Sequence, residues 1–260
     1  MGGMKAELDP PVQIPRRLRL YNSVAGALHL LQGIVVLVLA TDFSLPVVAS
    51  YPTGPPGAFA FEQDLVFEFS IAWGAAAFLF MSAIAHFAII TPGVWERYTR
   101  GLKEGRNYFR WVEYAFSSTL MVVLIALLTG IIDIAALIPI AGANVAMILF
   151  GLLLERYESP GGDSSLISYW FGCLAGIVPW LAIGWYLVSP GFETEVPGFV
   201  VGIFISLFLF FNSFAAVMVL QQKQIGKWRN YAVGEMTYVT LSLVAKSALA
   251  WQVFGGTLAG

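Results

Sequence analysis

The sequence has little charge and almost no cysteine. Only 12% of its 260 residues are Asp, Glu, Lys or Arg, about half the roughly 25% of a soluble domain. Apolar residues make up 58%, and the mean hydropathy is +0.76. Such a chain cannot cover itself with polar surface, so lipid must solvate it. Cys173 is the single cysteine and lies in an apolar run, which excludes a disulfide framework. That cysteine and the two histidines sit on separate apolar segments, so no zinc-type ligand cluster is encoded. There is no basic patch with interleaved aromatics, which argues against nucleic acid. Neither a nucleophile elbow nor a phosphate loop occurs, and Gly161 and Gly162 after Pro160 read as a turn. An enzyme is therefore not expected. The polar start precedes an apolar run too long for a signal peptide.

What the sequence does have is long apolar runs. Seven lie near residues 18–40, 65–90, 108–130, 133–154, 166–188, 198–220 and 235–257, each near the ~20 residues that a bilayer crossing takes. The expected fold is an all-α membrane protein, a seven-transmembrane-helix bundle forming a single domain over 1–260. The third and fourth spans are joined so tightly that they must be antiparallel neighbours. The longest connection, 41–64, contains Pro46, Pro52, Pro55 and Pro56 with Gly54 and Gly57. It reads as a loop with turns, a short hairpin being one option.

Charge sorts along this alternation. Lys5, Arg16, Arg17 and Arg19 precede the first span. Arg97, Arg100, Lys103, Arg106 and Arg110 lie between or at the ends of spans two and three. Arg156 follows span four, and Lys223, Lys227 and Arg229 join spans six and seven. The remaining connections carry Asp42, Glu62, Asp64, Asp133, Glu193 and Glu195 and no basic residue. Thirteen of the 14 basic residues thus fall on one side. The positive-inside rule makes that side cytoplasmic, which predicts a multi-pass protein of the cell membrane with its N-terminus inside and its C-terminus outside.

The fourteenth basic residue is Lys246, about 11 residues and ~16 Å into the last span. A lysine there costs from ~2.5 to over 10 kcal/mol. Snorkelling would need a reach of about 15 Å in either direction. A structural ion pair is one reading; the other is a Schiff base, because a desolvated lysine amine attacks aldehydes. A buried cation needs a counter-charge, and Glu113 in span three is the best candidate. Glu68 and Asp133 read as boundary charges at the outer ends of spans two and four. His29, with Gln32 three residues on, and His86, one turn after Ser82, lie in the same half of the membrane. Ser242 precedes Lys246 by one turn, and Ser117 follows Glu113 by one turn. A lone histidine in an apolar helix is usually a satisfied polar group; at similar depth, these residues together suggest a polar cavity on the cytoplasmic side of Lys246.

Seven spans, a mid-helix lysine in the seventh and a glutamate in the third is the microbial-rhodopsin arrangement. The inverted orientation and the run from Ser242 through Lys246 to Trp251 closely resemble the heliorhodopsins, over the whole chain. That resemblance implies all-trans retinal bound through Lys246 as a protonated Schiff base, with Glu113 as counterion and Ser242 beside it. It implies that His29, His86, Gln32 and Ser82 line an inner cavity able to take the proton after illumination. It also implies a homodimer, with a small hairpin in the first loop contributing contacts. Retinal is a long apolar rod that needs aromatic and small neighbours. The candidates are Asn144 and Met147 in span four, Pro179 and Trp180 in span five, and Phe208, Phe211 and Asn212 in span six. Span six has no tryptophan, unlike ordinary pumps.

A pump needs relay groups on both sides of the Schiff base. Outward from Glu113, span three holds no acid through Leu128; outward from Lys246, span seven holds none through Gly256. The expectation is a light-sensing protein with a slow photocycle, signalling to a cytoplasmic or membrane partner. A light-driven pump or channel of the same fold is the alternative.

Overall fold

The computed structural model describes residues 15–58, 60–161, 163–188 and 196–258. Lys5, Glu193 and Glu195 lie outside the described residues. In chain order come α1 (Leu18–Leu39), β1 (Ser44–Pro52), β2 (Phe61–Ser70), α2 (Ile71–Ile89), α3 (Val94–Lys103), α4 (Tyr108–Leu128), α5 (Ile134–Tyr157), α6 (Ile167–Val188), α7 (Gly198–Gln222) and α8 (Tyr231–Val253). Of these, α1, α2, α4, α5, α6 and α7 are long and apolar enough to cross a membrane. The seventh long helix, α8, carries Glu235, Lys246 and several hydroxyl side chains, which lower its hydropathy. Round the bundle the neighbours run α1, α2, α4, α5, α6, α7, α8 and back to α1.

Short polar side chains set where the helices begin. Ser70 Oγ accepts from the Trp73 amide at 3.4 Å, Asn107 Oδ1 from Arg110 at 3.2 Å, Asp133 Oδ1 from Ala135 at 2.8 Å and Asn230 Oδ1 from Ala232 at 3.0 Å. Each satisfies an amide that the first turn leaves without a partner.

Two features differ from the sequence expectation. The second span begins at Ile71, not at residue 65. Residues 65–70 belong instead to β2, which pairs antiparallel with β1 from Ser44–Ser70 to Pro52–Phe61, with an irregularity at Val47/Val48. Leu65, Val66, Phe67 and Phe69 raise an averaged hydropathy as a helix would, yet they are β-formers in an extended run. Glu68 therefore sits on the hairpin opposite Pro46, and not at the end of a span. The second feature is α3, an amphipathic helix within a connection expected only to carry charge. It buries Tyr98 and Leu102 and leaves Arg97, Arg100 and Lys103 exposed.

The core has two apolar parts. One, around Val36, Ile71, Phe78, Leu124, Ile125 and Leu249, reaches the hairpin end through Val47 and Ile131. The other gathers Leu18, Ile89, Tyr98, Leu102 and Tyr231 at the opposite, basic end. The polar residues of the site lie between them.

Asp133 fastens the hairpin to the bundle. Its Oδ2 accepts from the Ser50 amide at 3.1 Å, and the Val48 amide donates to Ile132 O at 3.0 Å. The Ser50 side chain and the Ala135 amide hold the Asp133 carboxyl below the usual carboxylate range. A depressed folded-state value means that the stabilisation is present at neutral pH and is lost as pH falls through that value. Asp133→Ala should lower stability by about 1 kcal/mol, within the 0.5–2 kcal/mol of lost N-caps. Thermal melts in detergent should show the deficit at pH 7 and its disappearance in acid.

Candidate functional site

Lys246 and Glu113 meet inside the bundle. Lys246 Nζ lies 2.8 Å from Glu113 Oε1, with the two side chains 4% and 10% exposed. Lys246 Nζ also donates to Ser242 Oγ at 2.9 Å, one turn back along α8. Glu113 Oε1 accepts a second hydrogen bond from Ser82 Oγ at 2.6 Å. The ammonium stands 5.2 Å from the centre of the Tyr114 ring. Three helices, α2, α4 and α8, thus supply one closed charge cluster. Its geometry resolves the cost of burying either ion alone.

On one side of the pair is a cavity of about 360 Å³, within the size range of small-molecule sites. Lys246 and Ser117 lie in its wall with Met147, Trp180, Phe208, Phe211 and Asn212. Trp180 makes edge contacts with Phe204, Phe208 and Phe211 at 5.6, 5.4 and 5.3 Å between ring centres, the geometry aromatic quadrupoles favour. Gly176 gives room: a Cβ there would collide with Met147 Sδ. A long apolar ligand with a reactive aldehyde end fits these residues, and the buried Ser117 on α4 lies in the wall of that space.

Two expected pocket residues lie elsewhere. Asn144 is buried, but its amide donates at 2.9 Å to both Ser118 Oγ and Thr119 Oγ1. It joins α5 to α4 and does not line the cavity. Pro179 also stays out of the wall, because it is turned about 100° round the helix from its neighbour Trp180.

On the other side is a small polar cavity of about 30 Å³, lined by Asn22, Ser82, His86, Glu113, Glu235 and Ser242 among others. His86 Nδ1 lies 2.8 Å from Asn22 Oδ1. The His29 ring stacks on that of His86 at 5.7 Å, and neither His29 nitrogen has a hydrogen-bond partner among the described residues. Gln32 is not part of this group. It accepts from Trp251 Nε1 at 2.9 Å, because the turn that separates it from His29 carries it away from the basic end.

A second buried ionic cluster was not anticipated. Arg110 Nη1 donates to Glu235 Oε2 at 2.7 Å, and its Nη2 pairs with Glu155 Oε1. Glu155 Oε2 accepts from Trp111 Nε1 at 2.6 Å and from the Asn107 amide at 3.0 Å. Glu235 Oε1 accepts from Tyr98 OH and Asn107 Nδ2, both at 2.8 Å. The Arg110 guanidinium also lies 4.0 Å from the Tyr238 ring centre. In sequence Arg110 passes for a boundary charge, and Glu155 is masked by its neighbour Arg156. The available signal was the position of Arg110 one turn before Glu113, already inside the helix that Asn107 caps. Arg110 and Glu235 share the small polar cavity with Glu113, so the two clusters adjoin.

The fold is that of the microbial rhodopsins. The light-driven proton pump of Coccomyxa subellipsoidea aligns with a TM-score of 0.61 at 20% identity, covering 94% of this chain and 98% of that one. Cyanorhodopsin from a Tolypothrix cyanobacterium aligns with a TM-score of 0.66 at 11% identity over 94% and 96%. The transmembrane domain of Salpingoeca rosetta rhodopsin phosphodiesterase aligns with a TM-score of 0.64 at 12% identity over 92% and 83%. No curated protein matches the chain. The family model described as Heliorhodopsin matches residues 18–258, and the chain therefore belongs to the heliorhodopsins, retinal-binding membrane photoreceptors.

Proposed function

We propose that this protein is a light sensor that holds all-trans retinal covalently on Lys246, runs a slow photocycle and signals without transporting ions. The observation that carries the reading is the 2.8 Å Lys246–Glu113 pair at the wall of an apolar cavity of about 360 Å³. When bound, retinal supplies visible absorption and a change of shape on isomerisation. Lys246 Nζ would hold the ligand through its aldehyde carbon, the aldehyde oxygen leaving as water. Glu113 holds the positive charge on that nitrogen, Ser82 fixes the carboxylate, and Ser242 orients the amine. Trp180, Phe208 and Phe211 would hold the apolar chain of the ligand, with Met147 and Asn212 completing the wall.

Proton traffic has an outlet in one direction only. Towards the basic end lie Glu113, Ser82, His86 and the stacked His29. Towards the hairpin end the described residues around α4 and α8 are apolar, with Leu124, Ile125, Leu249 and Val253 all buried. The polar contacts of α8 there, Ser206 Oγ to Gln252 Oε1 at 3.1 Å and Trp251 Nε1 to Gln32 Oε1 at 2.9 Å, involve no ionisable group. A proton leaving Lys246 goes to Glu113 or the histidines and returns from the same side. That favours sensing over the alternative, a pump or channel of this fold. Moving the proton dissolves a buried ion pair, which biases helix packing. The basic end, read as cytoplasmic from its Arg and Lys residues, presents the change to a partner. Phe61, Leu65, Val66 and Phe67 are exposed on β2, which supports a homodimer formed through the hairpin. The cell membrane, with the N-terminus inside, is the location that the Arg and Lys residues of the basic end support.

Protein produced with all-trans retinal should show a visible absorption band that Lys246→Ala abolishes; a colourless parent would overturn the reading. Glu113→Gln should move the band strongly to the red or cause loss of the Schiff-base proton. An unchanged spectrum would remove Glu113 from the counterion role. Continuous illumination of reconstituted vesicles should give no lasting pH change relative to a protonophore control, and sustained translocation would instead establish a pump.

A further inference from the structure

A second large cavity, of about 270 Å³, opens at the basic end of the bundle. Leu154 and Glu155 of α5, Met218 and Gln221 of α7 and Tyr231 of α8 form its interior, and Lys103, Trp228 and Arg229 stand at its rim. Its ligand class follows from which polar groups are still free. Glu155 looks like a cation site, yet each of its oxygens already accepts two hydrogen bonds: Arg110 and Tyr231 on one, Trp111 and Asn107 on the other. Glu104, also at the rim, pairs with Arg106. Both acids are therefore neutralised by bases of their own.

The bases at the rim are not neutralised in this way. Lys103 has no hydrogen bond or ion pair among the described residues. Arg229 uses only Nε, donating to Gln224 O at 2.9 Å, which leaves its terminal nitrogens free. The buried Gln221 amide makes only a long 3.5 Å contact with Tyr231 O and can turn towards a ligand. The cavity thus combines two spare cationic donors, an adaptable amide and an apolar wall of Leu154 and Met218. We propose that it binds a phosphate-bearing anion. Basic pockets between helix ends are where membrane proteins take up lipid head groups, and an anionic phospholipid and a free phosphate share that chemistry. Only the lipid source leans on the basic end facing the inner leaflet.

The test is calorimetric titration of the full chain, delipidated in a maltoside detergent, with inorganic phosphate and with a short-chain phosphatidylglycerol. Saturable one-site binding is expected, weakened by about a hundredfold in Lys103→Gln/Arg229→Gln, roughly tenfold for each charge-assisted contact removed. Arg97→Gln/Arg100→Gln removes the same charge from the exposed face of α3 and should leave the affinity within about twofold. Tighter binding of the lipid than of phosphate assigns the site to a head group, and equal binding assigns it to the free anion. Absence of binding by either probe, or equal weakening by the two double variants, overturns the proposal. Because the readout is heat and not colour, it stands or falls separately from the retinal reading.

Discussion

The structure turns on one buried ion pair. Neither Lys246 nor Glu113 is tolerable alone inside an apolar bundle: an uncompensated buried charge costs several kcal/mol. Together, with Ser82 donating to the carboxylate and Ser242 accepting from the ammonium, they are stable only while α2, α4 and α8 stay in register. The apolar parts of the core tolerate volume-conserving exchange among hydrophobic side chains; the pair tolerates none. It holds three helices to one arrangement and is also the element that a charge change on the nitrogen would release.

The Arg110 cluster repeats this logic one turn nearer the basic end. Both α4 and α8 run away from that end, and they are joined twice in the same order, through Arg110–Glu235 and then Glu113–Lys246. Trp111 belongs to both worlds, since its Nε1 bonds Glu155 while its ring lines the large apolar cavity. Tyr238 does the same, lining both cavities next to Lys246 and lying under the Arg110 guanidinium. A shift in the apolar cavity therefore has two aromatic side chains through which to reach the basic end. The energetic role of such buried networks is to specify one geometry more than to add net stability.

How much of this could be read from the sequence depends on whether the signal was local. Seven helices were legible because long apolar runs state themselves, and Lys246 because a mid-span lysine has no cheap explanation. The hairpin was partly hidden: its second strand is apolar enough to merge with α2, and only its pairing with β1 and the Ser70 cap at the start of α2 separate the two. Helix α3 was invisible to a search for spans because it is short and half charged. Glu155 and Glu235 were missed for a different reason. Their partner is contributed by α4, far away in sequence, and next to a basic neighbour or at a helix start each looks solvated. Asn144 failed in the opposite sense: its depth was right, but two hydroxyls on α4 claim its amide.

The bundle is unequal along its axis, and this inequality bears most directly on function. From the ion pair to the basic end, buried polar groups follow one another: Ser82, His86, Asn22, then Asn107, Arg110 and Glu235. From the ion pair to the hairpin, close-packed aliphatic side chains fill the interior. Moving an ion through that second region would require opening a packed core at considerable cost. Rearranging the first requires only that hydrogen bonds exchange partners among groups already in contact. A perturbation at Lys246 will take the less costly course, so the fold directs any light-induced change towards its basic end and away from the hairpin.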